Sequence, residues 1–415
     1  MPPQADEVGE QAVDSRALRA LAFTWGACAF FPVGVVYLNL LLMLAALSLA
    51  PGLRGRLAGL RRRDVFLPVL LLAAWTTLVA VVGGWFPDTP TRLFHVFRVS
   101  LVLFIGLLLT PTEARAALAG FLLAAVLAAL VVAVHHVWVL PAWDIWGSLL
   151  VSRNNFSSGN MITMATASGV CFLLGASRSL VRGDRWLALA AGLALAVTVA
   201  FHAVSRNSQL LVVVLLLTAV YCRFRSMRSV VAGAAAVVVL ATTLWHFSPN
   251  TKSRFLELAD NLHHATQQAD YGSSGGVRWR MNQEAFRGML ENPWMGAGVG
   301  SWLPHWRTAW TELDAKSPPG SKRPFSEINN PHNDFLLAGM ETGVAGMLLM
   351  VWLLLRFVRQ GWQQRSVAGS ITVVMGVGMF ADTLVNAPFR DAALGMTLLW
   401  LLAVSVAAQE ATPHA

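Results

Sequence analysis

One histidine, four Asn/Asp residues, a glutamate and three glycines crowd into "NNPHNDFLLAGMETGVAG", Asn329 to Gly346, where a polar run meets an apolar one. His332 is the group there with catalytic chemistry. Pro331 closes an extended run and Asn333 is a favoured N-cap, so a helix beginning near Asp334 sets the imidazole beside the positive end of a helix dipole. That field disfavours imidazolium and keeps the ring neutral near pH 7, the form a general base requires. From these residues alone, a structural cap or an interfacial histidine reads equally well. Gly339, Gly343 and Gly346 are spaced four and three apart, which puts them on one helix face as close-packing positions.

Anion chemistry falls to the arginines. Arg206 sits in "FHAVSRNSQLL", a connection of a few residues between two apolar runs, and a guanidinium there can grip phosphate oxygens in pairs. Arg278 and Arg280 open "RWRMNQEAFRGML", whose Met281, Ala285 and Met289 share one helix face. A solvated helix face is the alternative for those two. The run "GAGVG" (Gly296, Gly298, Gly300) lacks the strand and acidic partner of a dinucleotide loop and reads as tight turns packing on the membrane domain. His263 and His264 are adjacent and lack a Glu-x-x-His companion, so no metal site is expected. Cys28, Cys171 and Cys222 lie in or at the end of apolar runs, which excludes a disulfide framework.

Such side chains need elements to hold them. The 415-residue chain is 56% hydrophobic and 13% charged, where soluble domains carry roughly 25% charged residues; an all-α polytopic membrane protein follows. The formal net charge is +9, but arginine clusters between apolar runs are topology signals, and no nucleic-acid partner is expected. Crossing a bilayer takes roughly 20 apolar residues. Runs of that size begin near Leu18, Val33, Phe66, Phe94, Ala114, Gly159, Trp186, Ser208, Ser229, Phe335, Ser366 and Asp391, giving about twelve spans. Clusters at Arg54–Arg63, Arg178–Arg185, Arg223–Arg228 and Arg356–Arg365 all fall on one side, which the positive-inside rule makes cytoplasmic, together with both termini. The acidic start "MPPQADEVGEQAVDS" reads as a tail rather than a cleaved signal. The expected organisation is a tail at 1–17, nine spans over 18–247, a periplasmic loop subdomain at 248–332, three spans over 333–408 and a tail at 409–415, in a bacterial inner membrane.

Ionisable groups within a bilayer are costly unless they face a cavity or a partner. Arg98, His135, His136, His202, Glu341 and Asp382 all fall toward the outer side of their runs, and Arg92, Arg153, Asn154, Asn155, Arg390 and Asp391 in short outer connections. One wet, mostly cationic cavity opening outward is expected, with headgroup snorkelling the alternative for any single residue.

The seam at His332 resembles the signature of the bacterial O-antigen ligases: His, then Asn/Ser/Gln, nine residues, Gly, two residues, then Gly/Thr/Tyr. Here His332, Asn333, "DFLLAGMET", Gly343, "VA" and Gly346 complete it. The twelve spans, the large loop before the motif, Arg206 and Arg278 fit the same family, and "NPWMGAGVG" resembles its Pro-x-x-Gly-x-Gly element. Asn282 departs from the aromatic residue many relatives carry four positions after the loop arginine, which leaves Arg278 and Arg280 both open as that residue. The resemblance implies a membrane glycosyltransferase moving O-antigen polysaccharide from undecaprenyl pyrophosphate to the outer-core sugar of lipid A-core at the periplasmic face. It would invert the anomeric centre and use neither ATP, metal nor cofactor. His332 would be the base, and Arg206 and Arg278 would hold the pyrophosphate, with Arg153 and Arg98 adding to that anion site. Asn333 would orient His332, Asn154 would bind sugar hydroxyls, and Gly343 and Gly346 would pack the helix. A polymerase or a protein-directed ligase of the same superfamily is the near alternative. A transporter fits less well, because the cytoplasmic halves of the runs are almost pure Ala, Leu and Val.

Overall fold

In a bilayer every backbone polar group must be satisfied within the protein, which leaves helices as the solution for the Ala-, Leu- and Val-rich runs. The computed structural model describes residues 15–141, 150–152, 155–178, 180–203, 205–247, 249–267, 271, 273–315, 325–392 and 394–409. Before the long connection come α1 (Arg16–Ala27), α2 (Val33–Ser48), α3 (Leu53–Arg61), α4 (Phe66–Val82), α5 (Thr89–Leu107), α6 (Pro111–Val137), α7 (Ser158–Ala176), α8 (Arg182–His202), α9 (Arg206–Phe224) and α10 (Met227–Phe247). The connection holds α11 (Pro249–Gln267), α12 (Ser274–Glu291) and α13 (Trp302–Ala315), and the chain closes with α14 (Asp334–Gln363), α15 (Val367–Thr383) and α16 (Leu394–Ala407). A small antiparallel hairpin, β1 (Leu150–Ser152) with β2 (Asn155–Phe156), precedes α7.

The protein is a multi-pass, all-α membrane protein. Among the described residues, six helices, α5 to α9 and α14, are long and apolar enough to cross a membrane. The second expected span is not straight: the chain turns by 110° between α2 and α3, at Pro51 and a left-handed Gly52. α1 and α2 hold 12 and 16 residues, too few to cross singly. α4, α15, α16 and the first part of α10 are shorter apolar helices.

α16 is the central post, buried along its whole length. Trp25 of α1 stacks on its Trp400 with ring centroids 4.3 Å apart. α1 and α6 approach closely because Gly26 and Gly120 face each other's backbones; a Cβ on Gly26 would stand 2.1 Å from the Ala117 carbonyl oxygen.

The long connection is ordered where it is described. Met281, Ala285 and Met289 are buried as their spacing predicts, the first two against Leu337 and Met340 of α14. Beside them Trp302, Trp306 and Trp310 form a column at one-turn spacing, with successive centroids 5.6 and 5.3 Å apart. Trp306 Nε1 donates to the Phe325 carbonyl (2.8 Å) and Trp302 Nε1 to that of Ile328 (2.9 Å). The column therefore pins the irregular segment of turns and bends that delivers His332.

α14 departs from the continuous span expected from Phe335. It breaks at Gly343, where φ is 73° and ψ 178°, a conformation essentially confined to glycine. Residues 344–363 alone cover about 30 Å at the helical rise, enough to cross, and 334–342 form a separate short helix ahead of them. The groups freed by the break are satisfied from outside the helix. Ala297 N–H donates to the Met340 carbonyl (2.7 Å), Trp75 Nε1 to that of Thr342 (2.9 Å), and Val344 N–H to the Pro293 carbonyl (2.8 Å). Gly343 is therefore a docking point for the 293–300 turn as well as a packing residue, and Gly346 packs against Thr342 and Trp75. Gly343→Ala is expected to destabilise the fold by at least about 1–3 kcal/mol from backbone strain alone. Its Cβ would also stand 2.3 Å from the Trp294 carbonyl oxygen. A lowered thermal unfolding temperature of the detergent-purified protein reads this out; an unchanged one contradicts the docking role.

Candidate active site

The site lies at the start of α14. Asn333 caps the helix, its side-chain oxygen accepting from Leu336 N–H at 3.0 Å. His332 holds a left-handed backbone, φ 54°, which is uncommon for a residue other than glycine, although histidine tolerates it better than most. The Asn330 side chain stabilises that turn by accepting from His332 N–H at 3.0 Å. The imidazole is hydrogen-bonded to Asn386. Asn386 donates its amide to Asp382 (3.2 Å), and Asn207 donates to the same Asp382 oxygen (2.8 Å). With its amide N–H turned to Asp382, Asn386 presents its carbonyl oxygen to a ring N–H of His332. That fixes the tautomer and leaves the other ring nitrogen with a free lone pair.

The surroundings of the ring hold it toward its neutral form, the state that a position at a helix start also favours. Burial and then the charge of Arg278 push the His332 pKa down to about 4, partly offset by the bond to Asn386. Arg278, on α12, lies close enough to Arg206, the first residue of α9, for their like charges to oppose each other. Arg206 is paired with Glu257 of α11 at 3.3 Å. Arg278 has no carboxylate partner among the described residues.

The other predicted arginines go elsewhere. Arg280 pairs with the buried Glu284 and lies over the Tyr271 ring; Arg287 joins the same carboxylate at 2.6 Å and His305 at 3.5 Å. Two residues apart on a helix, Arg278 and Arg280 project differently, and only Arg278 turns toward His332. Arg98 is buried, and its guanidinium donates to Tyr37 Oη (3.1 Å) and to the carbonyls of Phe389, Arg390 and Asp391 (3.5, 3.1 and 3.3 Å). It holds the 389–391 turn instead of adding to the anion group. Arg153 and Asn154 lie outside the described residues.

Beneath His332, Arg92 and Arg390 converge on Glu341 at 3.2 and 2.9 Å, and Arg390 also approaches Asp334 at 3.7 Å. Asp334 accepts from Phe389 N–H (2.8 Å), and Arg92 donates to the Asn329 carbonyl (2.5 Å). Glu341 is thus the counter-ion of two arginines, and neither of them snorkels. This cluster floors a cavity of about 270 Å³ that His332, Asn386 and His95 help to line. His135, His136 and His202 do not line it; His136 and His202 meet each other edge to face at 4.8 Å. The single expected cavity therefore divides into separate polar sites. His95, Asn386 and Asn207 are the site residues that went unread. His95 follows Arg92 by three residues and precedes Arg98 by three, a polar stripe in an apolar helix; Asn386 follows Asp382 by four.

Comparison with curated proteins finds no match. Against protein families, residues 191–351 match the model described as O-Antigen ligase. The matched stretch, under half of the chain, contains Arg206, Arg278 and His332 and the turn that docks on Gly343, and over it the chain is similar to the O-antigen ligases.

Proposed function

We propose that this protein transfers O-antigen polysaccharide from undecaprenyl pyrophosphate to the outer-core sugar of lipid A-core, completing lipopolysaccharide at the periplasmic face of a bacterial inner membrane. Both termini then lie in the cytoplasm. The observation that carries this reading is a neutral His332, held by Asn386 and Asp382, beside an Arg278–Arg206 pair; His332, Arg278 and Arg206 all lie within the family match.

In this scheme the free nitrogen of His332 takes the proton of an acceptor hydroxyl. The oxygen's electron pair forms the new bond to the anomeric carbon. The bond from that carbon to the pyrophosphate breaks, and its electrons leave on the pyrophosphate oxygen. Arg278, with no carboxylate to neutralise it among the described residues, and Arg206 hold the departing anion and stabilise the charge that develops there. Attack opposite the leaving group inverts the anomeric centre. The pyrophosphate carries the driving force, so the scheme calls for no ATP and routes no step through a metal. Donor binding also prepares the base: burial is the larger cause of the lowered His332 pKa, and an anion on Arg278 cancels the charge that adds to it.

A polymerase of the same superfamily would share the donor site and differ in acceptor. Loss of function in the cell separates the two. For a ligase, polymerised O-antigen persists on its lipid carrier while none reaches lipid A-core; loss of the polymer itself would assign a polymerase.

A further inference from the structure

The cavity beneath His332 carries chemistry that the transfer scheme leaves unused. Besides His332 and Asn386, its lining includes Arg92, His95, Ser158 and Asn330. Its positive charge is already compensated, since Arg92 pairs with Glu341 and Arg390 with Glu341 and Asp334. Arg278 does not line this cavity, acts on His332 through its charge, and is uncompensated among the described residues. Arg278 therefore suits a pyrophosphate. The cavity offers donors and acceptors whose charge is paired, which suits the hydroxyls of a neutral sugar and would bind a dianion poorly. A single displacement also requires the attacking hydroxyl to arrive from the face opposite the leaving group.

His95 is the residue in this cavity without an assigned task. It lies on α5 one turn after Arg92, among Arg92, Arg98 and Arg390, and its Nδ1 is buried with no hydrogen-bond partner among the described residues. A buried polar nitrogen left unpaired costs free energy that a ligand hydroxyl would recover. Arg92 is fixed on Glu341 and the Asn329 carbonyl, and Asn386 on Asp382 and His332. We propose, resting on the ligase reading, that this cavity is the acceptor subsite. It takes the terminal neutral sugar of the acceptor, and His95 binds one of its hydroxyls so that another faces His332.

The test uses the purified full-length protein with donor and acceptor varied separately. His95→Ala is expected to raise the KM for lipid A-core about tenfold, the value of one lost hydrogen bond, and to leave the donor KM within about twofold. His95→Asn, which keeps a hydrogen-bonding group, recovers part of the loss. A purely structural role would lower kcat and thermal stability and leave no such split between substrates. In a second arm, soluble core oligosaccharide without its lipid is titrated calorimetrically against wild type and His95→Ala. Weaker binding by the variant supports the subsite even if transfer to lipid A-core fails, a result that would overturn the ligase reading alone. An unchanged acceptor KM with unchanged oligosaccharide binding, or a rise confined to the donor KM, overturns the proposal.

Discussion

His332→Asn lowers the transfer rate by about 10²–10⁴-fold, the usual contribution of a positioned general base, while the protein remains folded in the membrane. Asparagine is the informative replacement because it tolerates the left-handed backbone at this position, φ 54°, whereas alanine adds strain to the loss of the imidazole. His332 is only half-buried and contributes no core packing, so stability should change little. Retention of more than about a tenth of wild-type turnover by a well-folded His332→Asn protein would remove the base assignment.

Arg278 yields the second large effect, and two substitutions separate its charge from its shape. Arg278→Lys keeps a positive charge and loses the two-pronged grip on phosphate; turnover is expected to fall about 10²–10³-fold, in the range for removing one donor to a developing oxyanion. Arg278→Gln loses the charge as well, and the His332 ring is released upward from about 4. The sign is fixed: as pH falls through the ring's pKa the base is protonated and the rate drops. Wild-type kcat/KM, which reports the free enzyme, therefore stays level from neutrality down to an acid limb near pH 4. In Arg278→Gln that limb moves to higher pH; in Arg278→Lys it stays. Wild-type kcat, which reports the donor complex, should show its acid limb above that of kcat/KM, because bound pyrophosphate masks Arg278. Identical limbs in all three proteins would separate Arg278 from the base.

What the sequence made legible was local. The Asn333 cap depends on residues three apart, and the buried face of Met281, Ala285 and Met289 on one helical period. The apolar runs predicted their helices for the same reason, since a run of Leu, Ala and Val reports its own burial. Pairings between distant elements were not legible. Glu341 had no visible purpose because its partners Arg92 and Arg390 arrive from α5 and from the turn before α16. Arg98 looked like an anion ligand because an arginine within a span draws attention to its charge, while the three carbonyls it caps belong to a turn whose shape no pattern announces. At Gly343 a regular small-residue spacing hid a broken helix; the companion signal was the turn Gly296–Gly300, whose positive-φ glycines complement that break. The tryptophan column at 302, 306 and 310 was readable from its spacing of four. Its task, holding the segment before His332, was visible only once its indole donors were placed.

Transfer by the purified full-length chain is the most direct measurement. The protein is mixed with undecaprenyl-pyrophosphate-linked O-antigen and lipid A-core, without ATP and with EDTA present, and the lipid A-core is resolved by size on a gel. The expected result is a ladder of glycan-bearing lipid A-core with the wild type and none with His332→Asn. No ladder from folded wild type, or an equal ladder from His332→Asn, would contradict a ligase working through His332.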